Sequence, residues 1–201
     1  MKANVGMRYA VAAVISSYTP RTSITYGTGF VVAEARGANV TFETADGEFR
    51  GDDAVLDSSN EVQGYTIELE TAGMRDTARA SLLGEIKDSN DAYHITGAPS
   101  PDVGFGYIKQ MREDGTTEGT VVTTWEVMWY HKVKFAQPND EARTREKDME
   151  WRGQTISGKG AGIFLSTSGD QPDWVEHKTF ESFSAAKTFL NGLANISAVT
   201  T

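Results

Sequence analysis

Cysteine is absent from this chain of 201 residues. Its absence excludes disulfide bonds, thiolate metal sites and thiol nucleophiles, and it is typical of proteins made in a reducing compartment. Such cross-links are not needed at this length, because a domain of about 150–300 residues buries roughly 70% of the surface that its unfolded chain exposes. We therefore expect a single domain, residues 1–201, that is stabilised by a hydrophobic core.

Long apolar runs are also missing. No stretch approaches the roughly 18 apolar residues of a membrane-spanning helix, and we expect no membrane partner. The segment YAVAAVI, Tyr9 to Ile15, follows Lys2 and Arg8 and has the length of a minimal signal-peptide core, with Ala10 to Ala12 resembling a cleavage site. A short strand or an N-terminal arm explains the same residues.

Positive charge is scarce, with 19 Lys and Arg residues against 28 Asp and Glu residues and a formal net charge of −9. Affinity for DNA comes largely from Lys and Arg side chains that neutralise phosphates. The basic residues are dispersed, and their densest cluster, EARTREKD (Glu141 to Asp148), alternates in sign. This balance predicts a surface that repels nucleic acid.

Motifs of catalysis and metal binding are not found. His94, His131 and His177 lie far apart without paired metal-ligand spacing, and no G-x-S-x-G motif or phosphate-loop spacing occurs. The acidic pair Asp52-Asp53 fits a turn or cap, because neighbouring strand residues point to opposite faces. We expect no enzymatic activity, no metal and no cofactor, although a catalytic triad assembled from distant residues stays open.

Glycine at 20 positions, regular turn signals and many β-branched or aromatic residues predict a mainly β protein. The clearest strand is GYTIELE, in which Tyr65, Ile67 and Leu69 alternate with polar residues. Alternation of this kind indicates a sheet with one face on a core and the other in water.

A longer strand is predicted in WEVMWYHKVKF, Trp125 to Phe135. Strict alternation assigns one apolar side to Trp125, Val127, Trp129, His131, Val133 and Phe135, and a wet side to Glu126, Met128, Tyr130, Lys132 and Lys134. On the apolar side, His131 is expected as a buried, hydrogen-bonded ring.

The preceding segment VGFGYIKQ, Val103 to Gln110, is expected to pair with this strand as a long hairpin. Gly104 and Gly106 within it indicate a close approach by a neighbouring group. The expected hairpin core consists of Phe105, Trp125, Val127, Trp129, Val133 and Phe135. A hairpin alone is marginally stable, so it must belong to a wider sheet, whose other strands come from the same chain or from another copy.

Two helices are predicted. The first, Met74 to Gly84, ends at a glycine suited to the C′ position. The second, Phe183 to Ile196, brings Ala186, Phe189, Leu190 and Leu193 to one face, with Ser182 or Ser184 as the N-cap. Both are short enough to serve as covers for a sheet.

The order of these motifs resembles the major tail proteins, or tail tube proteins, of long-tailed bacteriophages, specifically the phi13-type family. The matching segments are, in order, NVGMRYA, ITYGTG, FRGDDAVL, GYTIELE, LLGEI, VGFGYIKQ, WEVMWYHKVKFAQP and DWVEHKTF. VGFGY followed by WYHKVKF is the most specific part of the resemblance.

This resemblance implies a mainly β, sandwich- or barrel-like tail tube fold with a long hairpin and one or two short flanking helices. It implies an N-terminal arm at residues 1–8 and a C-terminal helix at residues 183–196. Six copies are expected to form a ring, and the rings to stack into the virion tail tube, which is assembled in the cytoplasm of the bacterial host. The expected partners are other copies, the tape measure protein, the tail terminator and the distal tail protein, and DNA passes through without specific binding.

Two sets of functional residues follow from this assignment. Carboxylates lining the lumen would repel DNA, and the candidates on the polar sides of predicted strands are Glu43, Glu68, Glu70 and Glu126. Contacts between stacked rings are expected from a polar loop and the N-terminal arm, with the candidates Asp140, Glu141, Arg143, Arg145, Glu146 and Arg8.

Three alternatives remain. A secretion-system tube protein of the same fold is hardly separable from a phage tube by sequence. A β-sandwich carbohydrate-binding module would use exposed aromatics such as Tyr107, Tyr130 and Trp174 as a stacking platform. An enzyme is the third alternative, and it lacks a recognisable catalytic constellation.

Overall fold

The structure, a computed structural model, describes residues 2–51, 54–114, 120–139, 153–167 and 169–197. The chain is mainly β, as predicted from its composition. Within these ranges the elements are, in order, β1 (Lys2–Thr19), β2 (Ser23–Tyr26), β3 (Phe30–Gly51), β4 (Ala54–Met74), α1 (Asp76–Leu83), β5 (Ile86–Lys87), β6 (Tyr93–His94), β7 (Asp102–Asp114), β8 (Val121–Phe135), β9 (Gln154–Gly160), β10 (Val175–Phe180) and α2 (Phe183–Leu193).

Six of the strands close into a barrel. Antiparallel pairing runs in the order β1, β3, β4, β9, β8 and β7, and β7 pairs back onto β1. The seam between β8 and β9 pairs Val133 with Gly160, Lys134 with Lys159 and Phe135 with Gly158. Strand β10 extends the sheet along β8, and β2 pairs with β1. The predicted barrel-like fold with a long hairpin is therefore confirmed.

The barrel interior is filled by alternate side chains of the strands. On β4, Tyr65, Ile67 and Leu69 point inward and are buried, as their alternation in the sequence predicts. The ring of Tyr65 lies against Gly160 of β9, where any larger residue would collide with it. Its hydroxyl donates a hydrogen bond to the Lys132 carbonyl oxygen at 3.1 Å, which ties β4 to the far side of the barrel.

A β-bulge interrupts the long strand β8. Val103 pairs with Val133, but Phe105 pairs with Tyr130, so three steps on β8 oppose two steps on β7. The extra residue lies at His131 and Lys132, and it reverses the direction in which all later side chains of the strand point.

The predicted single apolar side of β8 is therefore wrong. Val127 and Trp129 lie outside the barrel, whereas Val133 and Phe135 lie inside it. Tyr130, predicted to be wet, is buried within the barrel core. Strict alternation fails here because the inserted residue shifts the pleat by one position, and alternation alone does not show where such an insertion occurs.

Helix α2 covers the outer side of β1, β7 and β8. Ala186 and Leu190 pack there with Val11, Val127 and Trp129. The indole of Trp129 lies over Gly104 and Gly106, and a Cβ on either glycine would come within 2.6 Å of the ring. The close approach that these glycines predict is confirmed.

One end of each helix is as predicted and the other is not. Helix α1 begins at Asp76, because Met74 still belongs to β4, and α2 ends at Leu193 rather than at Ile196. Ser182 is the N-cap of α2, and its hydroxyl accepts a hydrogen bond from the Ala185 backbone N–H at 3.2 Å. Gly84 ends α1 in the left-handed conformation, with φ of 77°. Leu82 and Leu83 of α1 contribute to the barrel core, so this helix closes part of the barrel rather than standing apart from it.

The predicted N-terminal arm has a defined pairing. Residues 2–8 form the first part of β1, and Lys2, Met7 and Arg8 pair with Glu113, Lys109 and Ile108 of β7. The segment YAVAAVI continues the same strand, and Ala10 to Ala13 are fully buried.

Candidate functional site

One side of the barrel carries only polar outward side chains. On β3, β4 and β9, the outward residues alternate with those that fill the core, and they are Asn39, Thr41, Glu43, Thr66, Glu68, Glu70, Thr155, Ser157 and Lys159. We call the part formed by Asn39, Glu43, Glu68, Glu70 and Thr155 the acidic face. It stays open to solvent because α2 covers a different part of the barrel.

Three of the four lumen candidates lie on this acidic face. Glu68 and Glu70 are exposed, and they line a shallow groove of about 300 Å³ together with Asn39 and Thr155. Glu43 accepts a hydrogen bond from the Thr66 hydroxyl at 3.4 Å. Among the described residues, no ion pair to Glu68 or Glu70 is recorded, so their charges act on whatever approaches the groove.

The fourth lumen candidate, Glu126, lies elsewhere. Its side chain is 18% exposed, and its Oε2 atom is 3.9 Å from Nζ of Lys109, its cross-strand neighbour. Residues before the bulge in β8 have the opposite orientation to those after it, so Glu126 points to the side of Tyr107 and Tyr130. Burial raises the pKa of both tyrosines, and the Glu126 charge adds to that effect.

The bulge also brings basic residues to the barrel surface. Lys132 and Lys134 point outward, and their Nζ atoms lie 3.3 and 3.4 Å from the two oxygens of Asp102. Lys159 of β9 is exposed and pairs directly with Lys134 across the seam. We call Lys132, Lys134 and Lys159 the lysine cluster. Sequence reasoning missed it, because its members come from two strands whose pairing is not visible in the alternation.

The candidates for ring stacking are only partly described. Asp140, Glu141, Arg143, Arg145 and Glu146 lie outside the described residues, as does the Asp52-Asp53 pair. Arg8 is exposed on β1, and its guanidinium lies over the Trp125 ring at 5.5 Å from the centroid. Arg8 therefore covers the half-buried end of the hairpin core, in a cation–π contact.

A two-stranded hairpin extends beyond the barrel. β4 pairs with β9 only from Tyr65 to Thr71, and β3 pairs with β1 only from Phe30 to Ala33. We call the remaining paired part, residues 43–51 and 54–64, the hairpin arm. Its eleven residues on β4 span about 35 Å, and within the described part of the chain both of its outer backbone edges lack a strand partner.

The histidines do not form a common site. His131 is buried as expected, with Nδ1 3.5 Å from the Tyr26 hydroxyl and Nε2 3.4 Å from Asp173 Oδ1. The Asp173 contact is electrostatic rather than a directed hydrogen bond, since Nε2 has no aligned acceptor. Burial lowers the pKa of His131, and the charges of Asp173 and Glu176 oppose that shift. This cluster resembles a packed core polar group more than a catalytic one.

The aromatic platform expected of a carbohydrate-binding module is not formed by the three residues predicted for it. Tyr107 and Tyr130 are buried and 3% and 2% exposed, with their hydroxyls 3.2 Å apart inside the barrel. Trp174 is partly buried and packs on the barrel core with an edge contact to Tyr65. These three rings pack in or against the core and do not form the exposed platform that the carbohydrate-binding alternative requires.

Comparison with known proteins assigns this chain to no family. No protein-family model matches the sequence, and no curated protein matches it. Within the described ranges, no group of three or more His, Asp or Glu side chains is placed to hold a metal ion, and neither helix has the length and apolar character to cross a membrane.

Proposed function

We propose that this chain is a structural subunit that assembles with copies of itself into hexameric rings, and that the rings stack into the tail tube of a long-tailed bacteriophage. The observation that carries the proposal is the hairpin arm. The arm projects from an otherwise closed barrel, and both of its backbone edges lack strand partners among the described residues.

The energetics of the hairpin arm favour a partner. An isolated two-stranded hairpin is marginally stable in water, and exposed strand edges invite uncontrolled pairing. A subunit that joins a ring through these edges satisfies its backbone groups and removes that hazard. A closed barrel supplies the rigid body from which such an arm reaches a neighbour.

The acidic face suits a conduit for DNA. Glu43, Glu68 and Glu70 point outward from two adjoining strands without apolar neighbours on the same surface. Carboxylates on a tube wall repel phosphates and keep a layer of water between wall and duplex. Glu126 no longer belongs to this set, because it points to the opposite side of its sheet and pairs with Lys109.

In this function the chain is a virion component without catalytic activity. Its partners are other copies in the tube, and the tape measure, terminator and distal tail proteins at the tube's interior and ends. A secretion-system tube built from the same kind of subunit is the alternative that shares every structural argument given above.

Electron microscopy of the purified protein in negative stain tests the proposal. We expect rings or tubes at high protein concentration, and a protein that stays monomeric at every concentration contradicts the assignment. The assembled tubes should retain no duplex DNA at ordinary salt, and firm retention would contradict the role as a conduit.

A variant without the hairpin arm sharpens the test. Thr44 and Val62 are directly paired, so they can be joined through an Asn-Gly turn that replaces residues 45–61. The barrel should keep its thermal stability, because the described residues of the deleted part pair with neither β9 nor β1. We expect this variant to remain monomeric, and tubes formed by it as readily as by the full chain would show that the arm does not drive assembly.

A further inference from the structure

Two lysines of equal charge face each other where the barrel closes. Lys134 of β8 and Lys159 of β9 are a directly opposed cross-strand pair. Like charges in this position destabilise a sheet. The seam consists of three residue pairs among the described residues. The repulsion therefore acts on one of the strand pairings of the barrel with the fewest paired residues.

The lysine cluster is only partly neutralised within the subunit. Asp102 lies within 3.4 Å of the ammonium groups of both Lys132 and Lys134. For Lys159, no carboxylate within 4.0 Å is recorded in the described ranges. Three positive charges therefore share one negative charge, on the surface of a protein whose formal net charge is −9. An anionic group from outside the subunit would remove the repulsion.

The acidic face offers the complementary group. Glu68 and Glu70 line the groove of about 300 Å³ next to Asn39 and Thr155. These neighbours supply hydrogen-bonding groups and no charge. A lysine side chain that approaches this open groove can lay its (CH₂)₄ stem along the strands while its ammonium group meets the carboxylates.

The two charged patches adjoin on the barrel surface but do not neutralise each other. Lys159 lies on the same outward side as Glu68 and Glu70, and Lys134 lies on the neighbouring strand β8. Within the described residues no ion pair joins the lysine cluster to Glu68 or Glu70, so both patches are left for contact with another copy. A contact between two different surfaces of the same protein is heterologous, and repetition of such a contact closes into a ring when the rotation allows it.

We propose that the lysine cluster of one subunit docks into the acidic groove of a second copy, with Lys134 and Lys159 meeting Glu68 and Glu70. This inference rests on the proposed function and assigns the side-chain contact within the ring. It moves Glu68 and Glu70 from the open tube wall to the subunit contact, and of the three carboxylates of the acidic face it leaves Glu43 to face the DNA. Because the contact is electrostatic, assembly weakens as salt rises.

Charge reversal in both partners tests the contact. The variant Glu68→Lys/Glu70→Lys should assemble more weakly than the parent chain, and so should Lys134→Glu/Lys159→Glu. The second variant keeps two like charges opposed across the seam but places a carboxylate beside Asp102 in place of the Lys134 ammonium group, so its fold stability is measured alongside its assembly. Mixing the two variants, or combining all four substitutions in one chain, should restore rings. We expect each single-surface variant to need about tenfold more protein for half-maximal assembly.

Controls separate this contact from general charge effects. Glu181→Lys and Lys187→Glu change exposed residues next to and on α2, away from both surfaces, and they should assemble like the parent chain. Thermal melts of every variant should show a folded protein.

Four outcomes overturn the inference in different ways. Normal assembly of both single-surface variants would show that the ring uses another contact, while the tube function stands. Reversal variants that stay unassembled when mixed would exclude the pairing of these two surfaces. Failure of the parent chain to assemble would remove the proposed function itself, and binding of duplex DNA that is lost in Lys134→Glu/Lys159→Glu would assign the cluster to phosphates.

Discussion

Gly106 of β7 and Trp129 of β8 lie directly opposite each other, and the indole ring occupies the volume that a side chain at residue 106 would need. A Cβ atom on Gly106 would be 2.6 Å from Cε3 of Trp129, 2.7 Å from the Met128 carbonyl oxygen and 2.8 Å from Cδ1 of Leu190. The absent side chain thus sets how closely α2 packs on the barrel.

Gly106→Ala is expected to destabilise the protein by about 1–3 kcal/mol, because the new methyl group overpacks a site bounded by an aromatic ring and backbone. Gly6→Ala is the matched control, since its Cβ would meet nothing within 4 Å on the same sheet. Urea unfolding of both variants measures the difference. Equal stabilities would show that the indole moves away at no cost and that the close approach is not required.

Tyr65→Phe is expected to cost about 1 kcal/mol in the free energy of unfolding, because the Lys132 carbonyl oxygen at the bulge loses the hydroxyl that donates to it. Tyr93→Phe serves as the control, since no hydrogen bond to the Tyr93 hydroxyl is recorded in the described part of the chain. Thermal melts compare the two substitutions. A Tyr65→Phe variant as stable as the parent chain would indicate that this hydrogen bond does not hold the bulge.

The stability of the protein should depend on pH through His131. Burial lowers its pKa below 6.5, against the opposing charges of Asp173 and Glu176. Above pH 6.5 the ring is neutral in both states. As the pH falls below that value, the unfolded chain binds a proton before the folded chain does, so the free energy of unfolding decreases.

Replacing the His131 imidazole removes its contribution to the pH dependence of the free energy of unfolding. His131→Gln should show a flatter decline in the free energy of unfolding between about pH 6.5 and pH 5. His177→Gln, at a side chain 66% exposed, should follow the parent curve. Denaturant titrations at three pH values provide the measurement, and parallel curves for His131→Gln and the parent chain would assign the decline to other groups.

Ser182→Ala is expected to lower stability by about 1 kcal/mol, because the hydroxyl caps the first turn of α2 by accepting from the Ala185 N–H. Ser184→Ala changes the other serine that the sequence offers as a cap, and it should have little effect. Amide hydrogen exchange of the first helical turn and the melting temperature are measured for Ser182→Ala and for Ser184→Ala. The reverse ranking would contradict the cap assignment.

Local patterns in the sequence predicted the parts of the fold that depend on neighbouring residues. The alternation in GYTIELE places Tyr65 inward and Glu68 and Glu70 outward, as the structure has them. Gly84 and Ser182 mark helix ends because their conformational freedom and hydrogen-bonding capacity act within one turn. Three of the four lumen candidates share one surface for the same reason.

The bulge and the seam could not be predicted in the same way. Alternation across His131 and Lys132 continues without interruption in the sequence, while the pairing of Val133 with Val103 and of Tyr130 with Phe105 requires an extra residue there. Which residue is left over depends on the pairing of β8 with β7 on one edge and with β10 and β9 on the other. The pairing with β9 and β10 is a tertiary contact that the residues around His131 do not show.

The sequence by itself therefore determined the β-rich class, the helix caps, the inward side of β4 and the acidic balance of charge, because each arises from short-range periodicity or from composition. Only the tertiary structure decided that the barrel closes between β8 and β9, that Trp129 and Phe135 lie in different cores, and that Lys134 faces Lys159. These features depend on register between remote strands, and a shift of one residue in that register exchanges the two faces of a sheet.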